Sequence, residues 1–302
     1  MSKKNLIIIL VIIFVGVGFL LMNKNVKTDN GNSSNKLSIV AGENFWGSIV
    51  SQISGNTANV TDIISDPNAD PHEYSSNANT AREFANANYV ILNGAGYDSW
   101  GIKLLNANPN PNRKVLIVSD LLGKKDGDNP HFWYSPSYVN DVASQIEKDL
   151  ISINPAEKSY YETQYATLQK NLSEYQNKIA LIKDKCNNCK VSATEDIFKY
   201  LADATGLNLV SPEDFTKAVA EGNDPSPSSI VEFQNQLKSG EVKALVYNEQ
   251  TVTPLTETMK ALAKKENIPL VSITEIIEPA NASFEDWMNA EVTELQNALG
   301  IK

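Results

Sequence analysis

Residues 155–186 read PAEKSYYETQYATLQKNLSEYQNKIALIKDKC, with no glycine and no proline after the one that opens them. A proline is at home in a first helical turn, where its missing N–H removes no hydrogen bond. Tyr161, Tyr165, Leu168, Leu172, Tyr175, Ile179 and Ile182 then recur at alternating steps of four and three. That spacing draws one apolar stripe along an otherwise polar helix. At ~1.5 Å per residue the helix extends ~45 Å, longer than a crossover between neighbouring strands requires. The stripe lasts too few heptads to favour a coiled coil, and a rigid connector lying along two lobes fits it better.

Strand and helix alternate on both sides of this connector. Upstream, short β-rich runs at Leu37–Ala41, Val60–Ile64, Tyr89–Asn93 and Lys114–Val118 are separated by helical patterns at Phe45–Ile53, Asn79–Ala87 and Tyr97–Asn106. A further helix runs from Ser135-Pro136 to about Ile153. Downstream, runs at Lys190–Ala193, Leu207–Val210, Ala244–Tyr247 and Leu270–Ile273 alternate with helices at Asp196–Ala204, Ser228–Leu237, Leu255–Glu266 and Phe284–Leu299. Ser211–Pro227 reads as a loop rich in Pro, Asp and Ser. Repeated βα units imply parallel sheets covered on both faces. The expected fold class is therefore α/β, with two similar lobes, each a mostly parallel four-stranded sheet covered by helices, joined by one long helix. The expected division is 1–35 anchor and tether, 36–153 first lobe, 154–185 connecting helix and 186–302 second lobe.

The chain has 302 residues, 42% of them hydrophobic, and a formal charge of −10. That charge argues against a nucleic-acid surface and against broad adhesion to anionic lipid. Lys3 and Lys4 precede an unbroken apolar run, Leu6–Met22, of roughly 25 Å, near the lower limit for spanning a bilayer. No small-x-small cleavage site follows it, and both cysteines lie far downstream, so no lipid-attachment cysteine is available. The run reads as an uncleaved membrane anchor, with a cleaved signal peptide as the second reading. Lys24 and Lys27 on its far side weaken the charge rule for orientation. Val26–Asn35 reads as a flexible tether.

Only two histidines occur, and they sit in matching loops: Asp70-Pro71-His72-Glu73-Tyr74 and Asn129-Pro130-His131-Phe132-Trp133. Each alone suits a structural histidine. Parallel sheets, however, bind ligands at the carboxyl ends of their strands, and His72 follows the second strand while His131 follows the fourth. The same rule in the second half selects Glu195, past its first strand, and Glu275, past its fourth. Glu249 is a reserve carboxylate at a third strand exit. Taken singly, Glu195 reads as a first-turn helix acid with Thr194 as cap, and Glu275 as a solvated loop acid. Together, two imidazoles and two carboxylates could close around a borderline divalent metal. Tyr74, Trp133 and Trp46 read as cleft packing. Cys186-Asn187-Asn188-Cys189 is a weak zinc signal alone and reads better as a small disulfide.

These segments carry a resemblance. Ala69-Asp70-Pro71-His72-Glu73-Tyr74, Ala87–Gly94 with Ser99-Trp100, and Asn129–Pro136 resemble the manganese/zinc-binding receptors of bacterial and archaeal ABC transporters. Val191–Leu201 is similar to that family's third ligand segment, which carries Glu in manganese carriers and His in many zinc carriers. The resemblance covers nearly all of Leu37–Leu299. It implies a metal held between two lobes, with His72, His131, Glu195 and Glu275 as ligands. Glu275 stands where Asp is usual, and Gly123–Pro130 lacks the histidine-rich insertion of many zinc carriers. The implied function is a non-enzymatic, monomeric receptor outside the cell, handing Mn²⁺ or Zn²⁺ to a membrane permease. Two nitrogens with carboxylate oxygens lean toward Mn²⁺. A metal-dependent hydrolase and a metal-independent adhesin or siderophore receptor are the competing readings. No G-x-S-x-G nucleophile motif is present.

Overall fold

The computed structural model describes residues 36–67 and 74–302. The long helix, α6 once the elements are numbered in chain order, runs Lys158–Cys186 over 29 residues, after a 3₁₀ turn at Pro155–Glu157. Six of its seven stripe residues are buried, and Tyr165 is half-buried against the core. Burying each such side chain contributes roughly 1.5–3 kcal/mol, which holds the helix more firmly than its polar face could.

Upstream of it lie β1 (Leu37–Glu43), α1 (Asn44–Ser54), β2 (Ala58–Ile64), α2 (Ala78–Asn86), β3 (Tyr89–Leu92), α3 (Ser99–Ala107), β4 (Lys114–Ile117), the single turn α4 (Val118–Leu121) and α5 (Pro136–Ile153). Downstream lie β5 (Lys190–Ala193), α7 (Lys199–Thr205), β6 (Asn208–Leu209), α8 (Glu213–Ala220), α9 (Pro227–Lys238), β7 (Leu245–Asn248), α10 (Pro254–Lys265), β8 (Leu270–Ile273) and α11 (Phe284–Ala298). The sheets run β2-β1-β3-β4 and β6-β5-β7-β8, parallel throughout, so the halves share one topology. The two-lobed α/β architecture follows the expected pattern.

Helix α6 packs against α1 and α5 from the first half and against α7 and α11 from the second. One apolar core passes through both sheets as a result, and Leu37–Lys302 form a single compact unit. A smaller cluster around Phe215, Phe233 and Met259 covers the outer side of the second sheet. The Cys186–Cys189 disulfide closes the end of α6, with Cα atoms 5.2 Å apart.

Helix starts follow their caps. Ser135, Ser226 and Thr253 each accept a backbone N–H from three residues on, and a proline follows each in the first turn. The stretch Ser211–Pro227 is not all loop, because α8 forms inside it and buries Phe215, Thr216 and Val219 on one face. Its flanking Pro, Asp and Ser residues hid that short periodicity. Helix α3 begins at Ser99 rather than Tyr97, since three positive-φ residues, Gly94, Ala95 and Gly96, first turn the chain out of β3. Among the described residues no helix is long and apolar enough to cross a membrane. The apolar run Leu6–Met22 and His72 both lie outside the described residues.

Candidate metal site

The strand exits bearing His131, Glu195 and Glu275 are linked by contacts between the two sheets' carboxyl ends. His131 is buried at the N-cap of the 3₁₀ turn Phe132–Tyr134. Its Nδ1 lies 2.9 Å from Asn129 Oδ1, which also accepts the His131 backbone N–H at 3.0 Å. Asn129 Nδ2 meanwhile donates to the Asp196 carbonyl at 2.7 Å, so the amide's orientation is settled. An oxygen facing Nδ1 requires the proton on Nδ1, which leaves the lone pair of the ring on Nε2. Asp196 Oδ1, 3.5 Å from the same Nδ1, reinforces that tautomer from the second lobe. Trp133 and Tyr97 pack edge-on to the ring, at centroid distances of 5.2 and 6.3 Å.

Tyr97 is placed by the turn after β3. The Asp98 carboxylate accepts the backbone N–H of Asn93 at 2.6 Å and of Gly94 at 2.8 Å, which holds Ala95 in its positive φ of 53°. A side chain at Gly94 would drive its Cβ to 2.1 Å from Ser119 Oγ, so only glycine fits there. The turn delivers the Tyr97 hydroxyl to Glu275 Oε2 across the lobes at 2.9 Å.

Glu195 and Glu275 are buried and bridged by a single amide. Asn248 Nδ2 donates to Glu195 Oε2 at 3.1 Å and to Glu275 Oε1 at 2.9 Å. Glu195 occupies an N-cap position yet makes no capping bond, so its burial is not explained by helix capping. Its Oε1 meets no hydrogen-bond donor among the described residues. Burial, and then the charge of Glu275, push the Glu195 carboxyl up to about 8, against the pull of Asn248 and Thr251. At the end of β1, Glu43 is likewise fully buried with no donor to either oxygen among the described residues. Its carboxyl is pushed well up by burial and by Asp98 and Asp62.

A cleft of about 750 Å³ opens beside this cluster, with His131, Tyr97 and Asp196 on its wall. Two buried carboxylates sharing one amide, one of them with an oxygen lacking a donor, form an electron-rich site suited to a cation. Among the described residues no group of three or more His, Cys, Asp or Glu side chains is arranged to hold a metal ion.

Of the residues that the strand-exit rule selects, the structure links His131, Glu195 and Glu275 through Asn129, Tyr97, Asp196 and Asn248, which the rule did not select. Its reserve carboxylate, Glu249, is exposed and accepts from Ser272 Oγ at 2.6 Å, away from the cluster. Asn248, one residue earlier, has the inward parity on β7, and the strand-exit rule alone does not separate neighbours of opposite facing. Trp46 and Trp133 are buried packing residues, as expected.

The family described as zinc-uptake complex component A, periplasmic (ZnuA), matches residues 39–298. The chain belongs to that family. Members of the ZnuA family are transport-complex components, so the hydrolase reading falls away. Among relatives, the metal ABC transporter substrate-binding lipoprotein ScbA of Streptococcus cristatus is 26% identical, over 89% of this chain and 88% of its own length. The manganese ABC transporter substrate-binding lipoprotein PsaA of Streptococcus pneumoniae is 26% identical, over 85% and 86%. A Mn-bound periplasmic metal binding protein from Candidatus Liberibacter asiaticus superposes with a TM-score of 0.73. It is 18% identical and covers 87% of this chain and 100% of its own. A crystal structure of ZnuA gives 0.68 at 19% identity, over 87% and 99%.

Proposed function

We propose that this ZnuA-family chain is the extracytoplasmic receptor of an ABC transporter, capturing one divalent transition metal between its lobes for delivery to a membrane permease. The observation that carries the reading is the pair of buried carboxylates, Glu195 and Glu275, held by one Asn248 amide beside a His131 whose tautomer is set. The ligands are His131 through Nε2, Glu195, Glu275 and His72. The metal is cargo, not a resident cofactor. Mn²⁺ is the favoured ion and Zn²⁺ the near competitor. Oxygen-rich donors with a bidentate option suit the higher coordination numbers of Mn²⁺, while intrinsic affinity still ranks Zn²⁺ above it. Glu at position 195 and the relatives named for manganese support that lean. Leu6–Met22 anchors the receptor at the membrane, and the receptor works as a monomer.

Calorimetric titration of the metal-free chain with Mn²⁺ and with Zn²⁺ tests the reading. One ion per chain is expected, with Mn²⁺ binding in the presence of physiological Ca²⁺ and Mg²⁺. Uptake of neither ion at stoichiometric level overturns it.

A further inference from the structure

Behind the cluster, four side chains join the two ligand-bearing exits. Tyr134 ends the turn that His131 caps, and Thr274 precedes Glu275. The Tyr134 hydroxyl lies 2.7 Å from the Thr274 carbonyl oxygen and 2.7 Å from Glu291 Oε2. Glu291 Oε1 accepts the Thr274 backbone N–H at 2.9 Å and its hydroxyl at 3.2 Å. That hydroxyl oxygen accepts the Trp287 indole N–H at 2.9 Å. All four residues are buried.

The Tyr134 phenol carries one hydrogen and faces two oxygens, the Thr274 carbonyl and Glu291 Oε2; a neutral Glu291 supplies the second hydrogen and frees the phenol's own for Thr274. We propose that Glu291 is a positioning residue for metal capture: as a neutral carboxylic acid it ties the turn bearing His131 to the strand exit bearing Glu275. The inference rests on the receptor reading above. A carboxylate at this place would leave one hydrogen for the two contacts and loosen the tie.

The surroundings favour the neutral form. Burial pushes the Glu291 carboxyl up to about 8, against the pull of its hydrogen bonds with Tyr134, Thr274 and Trp287. Among the described residues, the packed elements offer no compensating cation. On α6, Lys178 donates to Thr293 Oγ1 and pairs with Glu174, while Tyr175 is apolar packing. Helix α1 presents Ser48 and Gln52, both uncharged, and Gln52 bonds Glu285. Glu294, on the same helix as Glu291, accepts from the Ser272 backbone. Glu275 adds a negative charge near Tyr134.

The test titrates Mn²⁺ into the metal-free full chain in mild detergent, at pH 7 and pH 9, for the parent, Glu291→Gln, Glu291→Ala and Tyr134→Phe. Glutamine keeps a donor for Tyr134 and an acceptor for Thr274, so its affinity at pH 7 should stay within about 3-fold of the parent. Glu291→Ala and Tyr134→Phe should each lose about 10–100-fold, as groups that orient metal ligands do. At pH 9 the parent should weaken about 10-fold against Glu291→Gln, because only the parent loses the shared hydrogen. Comparing variants at one pH cancels hydrolysis of the ion.

A merely structural Glu291 would lower the melting temperature of the alanine variant and leave affinity and the pH ratio unmoved, which overturns the proposal. If Glu291→Ala does not fold, the parent-to-Gln ratio at the two pH values and Tyr134→Phe decide. A parent that binds no Mn²⁺ at either pH overturns the receptor reading itself. A parent that binds, with Glu291→Ala equal to it, overturns this inference alone.

Discussion

Two buried carboxylates of the second lobe, Glu291 on α11 and Glu195 at the exit of β5, have opposite fates. Glu291 has every oxygen engaged, by Tyr134 on one side and by Thr274 twice on the other. Glu195 shares the Asn248 amide with Glu275 and keeps an oxygen with no donor among the described residues. An unsatisfied buried carboxylate is costly, on the order of several kcal/mol, unless a proton or a cation compensates it. The saturated carboxylate ties two segments together, and the unsaturated one is, on the proposed reading, where a cation would be held.

The widest gap between the two regions should come from the ligating group itself. His131→Ala is expected to weaken Mn²⁺ and Zn²⁺ binding by at least about 100-fold, on the order of 3 kcal/mol, read by calorimetry. Binding equal to the parent would remove the site from this cleft.

Glu195→Gln sharpens the comparison because its two effects have opposite signs. Metal affinity should fall by about 10–100-fold. The metal-free chain should meanwhile melt ~2–4 °C higher, as about 1 kcal/mol of burial cost is relieved. A variant that melts lower would mean that the charge at 195 already has a partner without metal.

A third effect concerns protons. Burial raises Asp62 to about 7, Asp196 to about 7, Glu195 to about 8 and Glu291 to about 8. A folded-state value above the ordinary one means the folded chain binds protons more tightly than the unfolded chain. The associated stability is complete below the ordinary carboxylate range and is lost as pH rises through 7 to 8. Differential scanning calorimetry of the metal-free chain should therefore show a higher melting temperature at pH 5.5 than at pH 8. Saturating Mn²⁺ should shrink that difference, since the cation compensates Glu195 without a proton. A melting temperature that climbs with pH in the metal-free chain contradicts the burial account.

The smallest effect is expected farthest from the cleft. Replacing Cys186 and Cys189 with serine opens a four-residue loop at the end of α6. Loop entropy limits the loss to about 2 kcal/mol, and the Mn²⁺ isotherm should not move. A shift in affinity would show that this end of the long helix is coupled to the site.

Much of this molecule was legible before any coordinates. The α6 stripe, the eight β runs and the Ser135-Pro136 helix start are local patterns, and period and capping chemistry act within a few residues. The strand-exit rule placed His131, Glu195 and Glu275 because parallel topology aims those positions at one edge. It also offered Glu249, and only the facing of β7 removed it in favour of Asn248.

By itself, then, the sequence determined the two-lobed α/β plan and the residue types at the strand exits, since hydrophobic period and turn chemistry are written along the chain. Tertiary structure alone decided that Tyr97 of one lobe donates to Glu275 of the other, and that one amide holds both carboxylates. It alone decided that Glu291 is saturated while Glu195 is not. Those outcomes depend on contacts between residues 17 to 178 positions apart. No local pattern encodes which of two buried carboxylates receives enough donors, because donors arrive only when distant strand ends meet.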